Sequence, residues 1–405
     1  MNPTSPSIQD LAIGGAQPAF RESLHVGRPN VGNRERLIAR IHDMLDRRWL
    51  SNNGPYVQEL EQRISQFVGV KHVIAVCNAT VGLEIAIRAA DIRGEVIVPA
   101  YTFVATAHAL QWQEVTPVFA DMDPATHNMD PELVERHITP RTSAILATHV
   151  WGRPCNVEAL QEIASRRGLK LMFDAAHAFG CSHQGRMIGG FGLAEVFSFH
   201  ATKFLNSFEG GAICTQDAEL AQRIRLMANF GFAGFDNVIH IGTNGKLTEA
   251  DAAMGLTSLE SIDEFIAVNR ANHEAYHRAF DQVPGIQLVR YDPGERNNYQ
   301  YVVLEVDETG AGLSRDELVA VLHAENVLAR KYFWPGAHRM EPYRSLFPHA
   351  GLLLPSTEAV APRIIVLPTG TAVSETDIAR IGSLVRTALS QPDSVRAALR
   401  HLPKP

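Results

Sequence analysis

From residue 56 the apolar positions alternate between two periods. Leu60, Ile64 and Phe67 recur at helical spacing, and a Gly-Val-Lys turn then leads into His72-Val-Ile-Ala-Val-Cys77, a continuous apolar run that reads as a strand. Similar short runs follow at residues 95–99, 116–121, 143–148, 170–174 and 195–199, mostly separated by stretches with an amphipathic helical pattern such as 157–163. Strands that are apolar throughout and spaced by helices predict a mostly parallel sheet covered on both faces, with ligands held beyond the carboxyl ends of its strands. The alternation fades after Thr215. Residues 248–283 favour one long helix without proline, and extended segments at 298–306 and 363–367 then mix with helices at 314–324 and 375–389. This predicts an α/β chain with an arm at 1–25, a large domain at 26–260, and a smaller α+β domain at 261–405 joined by the long helix.

Composition narrows the class. At roughly 150 residues per domain, a chain of 405 residues holds two or three domains. With 45% hydrophobic and 20% charged residues it can bury a large core, which excludes disorder as the main state. A net charge of -7 gives no general attraction to nucleic acid or to an anionic membrane. Cys77, Cys155, Cys181 and Cys214 form no C-x-x-C pair, which points away from a zinc ribbon or disulfide framework and toward a reduced, cytoplasmic protein. The first ten residues lack the basic start and apolar run of a secretory signal. The longest apolar stretch, 96–110, is interrupted by Pro99, Thr102, Thr106 and His108 and falls short of the roughly 20 residues of a membrane span.

Three polar residues stand at expected strand ends or in the loops after them. Asp174 follows Leu171-Met-Phe, Ser198 ends Val196-Phe-Ser, and Lys203 precedes Glu209-Gly-Gly. Each alone is ordinary, since a carboxylate there commonly caps a helix and a lone lysine commonly faces solvent. Together they meet the needs of pyridoxal phosphate: an amine to form a Schiff base with its aldehyde, and a carboxylate to keep its pyridine nitrogen protonated. Asn78-Ala-Thr-Val-Gly82 follows a strand and opens a helix, where free N–H groups favour a phosphate, and the Ser198 hydroxyl could join them. Tyr101-Thr-Phe103 supplies an aromatic cover, with Phe103 the candidate to stack on the ring, although ordinary core packing also explains it.

The combined motifs resemble a known family. Phe197-Ser-Phe-His-Ala-Thr-Lys203, Glu209-Gly-Gly211 and Phe173-Asp-Ala-Ala-His-Ala-Phe-Gly180, with Pro99-Ala-Tyr-Thr-Phe-Val-Ala-Thr and Thr148-His-Val-Trp-Gly-Arg-Pro-Cys, are similar to the DegT/StrS family of pyridoxal-phosphate-dependent sugar aminotransferases. The resemblance implies the aspartate-aminotransferase-like fold type I, with a mostly parallel seven-stranded sheet. It implies Lys203 as the Schiff-base lysine, Asp174 as partner of the pyridine nitrogen and His177 facing the phenolic oxygen. Asn78, Ala79, Thr80 and Ser198 would surround the phosphate and Phe103 would stack on the ring. Asn244, in Gly242-Thr-Asn-Gly-Lys-Leu247, would reach the cofactor of a neighbouring subunit, making the protein a homodimer with shared sites and its first 25 residues an arm on the partner. The activity implied is transfer of an amino group from glutamate to a nucleotide-linked keto-deoxysugar, with a 4-keto-6-deoxyhexose ahead of a 3-keto sugar or keto-cyclitol. Retention of Lys203 sets the chain apart from relatives that carry His there and act as dehydratases. Departures from the family pattern at Phe208 and at Gly245-Lys246 mark 205–208 and 243–246 as neighbours of the acceptor.

Some features point elsewhere. His273-Glu-Ala-Tyr-His277 matches the helical H-E-x-x-H spacing of zinc hydrolases, but no third ligand follows it at the usual distance. A non-catalytic relative that only binds the cofactor is a third reading, against which every chemistry-bearing position is filled. Arg330, Lys331, His338 and Arg339 around Tyr332-Phe-Trp-Pro could meet a diphosphate or form a solvated basic loop. Trp112, Trp151 and the aromatics of the last third read as packing rather than cofactor contacts.

Overall fold

The computed structural model describes residues 7–401. Its central sheet contains β1 (His72–Val76), β2 (Glu95–Pro99), β3 (Thr116–Ala120), β4 (Thr142–Thr148), β5 (Lys170–Asp174), β6 (Ala194–Ser198) and β7 (Gly211–Thr215). The spatial order is β1-β7-β6-β5-β4-β2-β3, and all neighbours are parallel except those of β7, which runs antiparallel to β1 and β6. The fold is therefore α/β with the expected mostly parallel sheet of seven strands.

Burial on both faces explains the unbroken apolar runs. Along β1, Val73 and Ala75 enter one apolar cluster while Ile74 and Val76 enter another on the opposite face. Helices α1 (Arg34–Arg47) and α2 (Pro55–Val68) lie toward the first face, where Leu60 and Ile64 are buried. Helix α3 (Ala79–Ala89) covers the second with Leu83 and Ile87, beside α4 (Ala105–Trp112). The first face also takes α5 (Val157–Arg167), and the second takes α6 (Ala218–Met227). The start of α2 is tied to a distant helix: the Glu249 carboxylate accepts the amides of Tyr56 at 3.0 Å and Val57 at 2.9 Å. A Cβ on Gly54 would lie 2.5 Å from that carboxyl carbon, so only glycine fits at this cap.

Residues 248–283 depart from the expected single helix. They form α7 (Glu249–Glu260), capped by Thr248, and α8 (Ile262–Phe280). Ser261 separates the two with φ -105° and ψ 9°, and its amide bonds back three residues to the Ser258 carbonyl. The smaller unit carries the antiparallel sheet β8 (Ile286–Leu288), β9 (Val302–Val306) and β10 (Ile364–Leu367), packed with α9 (Arg315–Ala324) and α10 (Glu375–Ser390). Residues 298–301, expected to be extended, form no strand: Tyr299 has a positive φ of 49°, and Asn298 instead donates to the His177 and Phe179 carbonyls of the large unit.

The amino-terminal arm joins the small unit of its own chain. Leu11, Ile13, Phe20 and Leu24 enter its apolar core, and Leu24–His25 pairs in parallel with Val327–Leu328. Both oxygens of buried Glu325 accept arm amides, from Ala12 and Ala19, at 2.7 Å each. Residues 7–25 of the expected arm are thus held by the small unit of their own chain, while residues 1–6 lie outside the described part. Among the described residues no helix is long and apolar enough to cross a membrane.

Candidate active site

The carboxyl ends of β4, β5 and β6 adjoin in the sheet, where Thr148 is the register partner of Asp174 and Asp174 that of Val196. This rim opens into a cavity of about 540 Å³. Asn78, Ala79, Thr80, Phe103, Asp174, His177, Ser198 and Lys203 all line it, although they come from four separate stretches of sequence. Phe103 is 57% exposed, so it belongs to the cavity wall and not to the core.

At the mouth of the cavity, Asn78 caps α3 by accepting the Val81 amide at 2.9 Å. The amides of Ala79 and Thr80, which precede Val81 in the first turn, are left for another acceptor. Gly211 keeps that turn open, because a Cβ there would sit 2.9 Å from the Ala79 nitrogen and 2.7 Å from the Phe197 carbonyl. The Glu209-Gly-Gly motif thus has a steric reason: a second Cβ, on Gly210, would strike the Ser207 hydroxyl at 2.1 Å. Ser198 ends β6 on the same rim.

Asp174 is buried, and burial pushes its pKa up from the usual carboxylate value. The Ala176 amide at 3.0 Å, the Thr106 hydroxyl at 2.8 Å and the charges of Lys203 and His149 pull the other way. Lys203 is half-buried, and desolvation brings its ammonium down to about 8 against the opposing pull of Asp174. Its Nζ donates to the Tyr301 hydroxyl at 3.2 Å. His177 is buried, and burial followed by the nearby Lys203 charge holds its pKa well below the ordinary value, so the ring is neutral. Its Nδ1 accepts the Trp151 amide at 3.2 Å, which places the remaining proton on Nε2.

The wall opposite the sheet comes from the other unit. Tyr301, Tyr332 and Phe333 line the cavity. Tyr301 packs on His177 at 4.6 Å between ring centroids, and Phe333 stacks on it at 5.6 Å. These residues correct the expectation that aromatics of the last third serve packing alone. Tyr301 meets Lys203 from 98 residues further along the chain, and Tyr332 and Phe333 come from further still, which leaves no local signal. Trp151 is fully buried and does pack, stacking on both His177 and Phe333, whereas Trp112 is 74% exposed and packs little.

Other candidates fall away from the cavity. Asn244 is exposed, on the segment between α6 and α7, and is not part of this chain's cavity wall. Residues 205–208 and 243–246 also miss the wall, while Glu209 reaches it. Lys331 pairs with Asp316 at 2.8 Å, and His338 and Arg339 both bond Glu358 at 2.7 Å, so carboxylates already neutralise most of the basic loop. Arg330 lies over the Tyr332 ring at 5.3 Å. The helical spacing does bring His273 and His277 together, with ring centroids 4.7 Å apart. His273 is buried with Nε2 on the Val289 carbonyl at 3.2 Å, and Glu274 pairs with Arg270. Among the described residues no group of three or more His, Cys, Asp or Glu is placed to hold a metal ion, so this motif lacks the third ligand of a zinc hydrolase.

Similarity to known proteins extends over most of the chain. The model of the DegT/DnrJ/EryC1/StrS aminotransferase family matches residues 32–386. A dTDP-4-amino-4,6-dideoxy-D-glucose transaminase of Escherichia coli is 36% identical over 367 residues, covering 90% of this chain and 98% of that protein. The spore coat polysaccharide biosynthesis protein SpsC of Bacillus subtilis is 33% identical, covering 90% and 97%. The crystal structure of DesI, solved in the presence of its TDP-sugar product, superposes with a TM-score of 0.93 at 50% identity and covers 97% of this chain and all of that one. With a match that spans both structural units, the chain belongs to the DegT/DnrJ/EryC1/StrS aminotransferase family and is an aminotransferase.

Proposed function

We propose that the protein binds pyridoxal 5'-phosphate in this cavity and transfers an amino group from glutamate to the carbonyl of a TDP-linked 4-keto-6-deoxyhexose. The observation that carries the reading is the meeting of an amine of lowered pKa, a buried carboxylate and a neutral imidazole beside an open helix N-terminus. The residues fit that cofactor: Gly211 leaves the first turn of α3 clear for a phosphate, and Asp174 has an acceptor site left on each oxygen. The substrate class rests on the E. coli transaminase and on DesI with its TDP-sugar product.

When bound, the cofactor supplies an aldehyde to take up the amino group and a ring to withdraw electrons from the reacting carbon. Ala79 and Thr80 would hold the phosphate with their amides, joined by the Ser198 hydroxyl, while Asn78 keeps the turn in place. Asp174 would hold the ring nitrogen as a carboxylate, and His177 would donate Nε2–H to the phenolic oxygen. Phe103 would cover one face of the ring. Lys203 would hold the aldehyde carbon through Nζ, and the same nitrogen would accept and return a proton during the transfer. That task needs an uncharged amine, a form that the lowered pKa makes more accessible than it is for an ordinary lysine. Tyr301, which accepts the Lys203 amine at 3.2 Å, would keep that amine in reach.

The working molecule is a homodimer in the cytoplasm, with Asn244 extending to the partner's phosphate. Exposed Phe230, Ile239 and Ile241 lie on the same segment as Asn244, an apolar surface suited to burial against a second copy. The test is to supply the cofactor-loaded protein with glutamate and a panel of keto compounds. Amination of TDP-4-keto-6-deoxyglucose, with glutamate alone altering the visible absorbance, is expected. Amination only of a 3-keto sugar or a keto-cyclitol would contradict the substrate, and no response to glutamate or any other amino donor would favour a non-catalytic role.

A further inference from the structure

A line of buried hydroxyls ends on Asp174. Thr106 Oγ1 lies 2.8 Å from Asp174 Oδ2, Thr102 Oγ1 lies 2.9 Å from Thr106 Oγ1, and Thr148 Oγ1 lies 3.1 Å from Thr102 Oγ1. All three threonines are buried, and they come from the loop after β2, the start of α4 and the end of β4.

Proton counting gives the line a direction. Thr106 has one proton and two acceptors in range, Asp174 Oδ2 and the Phe103 carbonyl at 3.1 Å. If Asp174 is ionised, Thr106 must donate to it, which leaves the Thr106 oxygen to accept from Thr102 and the Thr102 oxygen to accept from Thr148. If Asp174 is protonated, its own O–H can donate to Thr106, and Thr106 turns to Phe103. The first arrangement aligns three O–H dipoles toward the carboxylate, and hydrogen bonds in series strengthen one another in a low-dielectric interior.

Resting on the proposed cofactor, we propose that Thr106, backed by Thr102 and Thr148, is a positioning residue that keeps Asp174 ionised and thereby sets the proton balance at the cofactor's ring nitrogen. Other groups also face Asp174. Lys203 and His149 act on it through charge from the loops after β6 and β4, and Cys155, His177 and Tyr301 stand around the same centre. Among these neighbours Thr106 is the one whose side chain donates a hydrogen bond directly to the carboxylate. Without that hydroxyl, the penalty of burial meets less opposition, and Asp174 takes a larger share of the proton it shares with the ring. A ring less positively charged withdraws fewer electrons, so the imine nitrogen on Lys203 keeps its proton to higher pH.

The experiment is a pH titration of the visible absorbance of the full chain loaded with pyridoxal 5'-phosphate, for the wild type, Thr106→Val, Thr106→Ser and Thr102→Val. Thr106→Val is expected to raise the midpoint by about half a pH unit or more, and to weaken cofactor binding about tenfold, the loss expected for one charge-assisted hydrogen bond. Thr106→Ser should restore the wild-type midpoint, and Thr102→Val should move it upward by less. A wild-type midpoint in Thr106→Val overturns the proposal even if its activity falls, since a packing role would not move the titration. Should Thr106→Val not fold, Thr102→Val decides in the same way. A wild-type chain that takes up cofactor without any visible band would overturn the proposed function itself, and this proposal with it.

Discussion

Lys203 should cost the protein stability, and the cost should depend on pH. Replacing it by methionine keeps the length of the side chain and removes the charge. In the folded chain the amine titrates at about 8 instead of the usual 10.5 because it is desolvated. At about 1.36 kcal/mol per pH unit, that difference corresponds to about 3 kcal/mol, which screening by water in the cavity reduces to about 2 kcal/mol. The sign follows from proton counting: between about 8 and 10.5 the unfolded chain binds the proton and the folded chain does not, so stability rises with pH across that window. Below it, both states carry the charge and the folded state bears the full penalty. Lys203→Met should therefore be more stable than the wild type by about 2 kcal/mol at pH 7, and the two should converge above pH 10. Urea unfolding of both proteins without cofactor, at equal chain concentration and at pH 7 and 10.5, measures the difference. Equal stability at pH 7, or an advantage that does not shrink as pH rises, would mean that the buried amine carries no desolvation penalty.

Tyr301→Phe removes the hydroxyl that receives the Lys203 amine while keeping the ring against His177. It should lower kcat about tenfold, the worth of one hydrogen bond to a charged group, and leave KM for the amino donor within about threefold; steady-state kinetics with kcat unchanged would remove Tyr301 from the mechanism. Mixing two inactive chains tests the shared site. Random pairing of Lys203→Ala with an Asn244→Asp chain puts intact Lys203 and intact Asn244 in one site of each mixed dimer, so about a quarter of wild-type activity should return after joint refolding. No recovery would place Asn244 outside the partner's site.

The sheet was legible because both of its faces are buried: β1 through β6 carry apolar residues at consecutive positions, a pattern that only a two-sided core demands. The orientation of β7 was not, since direction within a sheet is decided by the connection through the Lys203 loop and not by the strand's own residues. Local motifs picked out Asp174, His177, Ser198 and Lys203, at strand ends or in the loops just after them, and the structure brings all four to one cavity. Tyr301, Tyr332 and Phe333 escaped because their role is created by the docking of the second unit, far along the chain. Thr102 and Thr106 were visible only as interruptions of the apolar stretch 96–110. Their hydroxyls gain meaning once β5 brings Asp174 beside them. The anchor of the arm was hidden for a similar reason, since it is Glu325, some 300 residues away in sequence.

The claim on which the account stands is that the Lys203 side-chain nitrogen carries the cofactor. Borohydride reduction of the loaded protein would fix any such linkage as a stable secondary amine, and peptide mass spectrometry would locate it. A pyridoxyl phosphate group is expected on Lys203 and absent from Lys203→Ala. Labelling of a different lysine, or no label on a protein that nevertheless transfers amino groups, would contradict it.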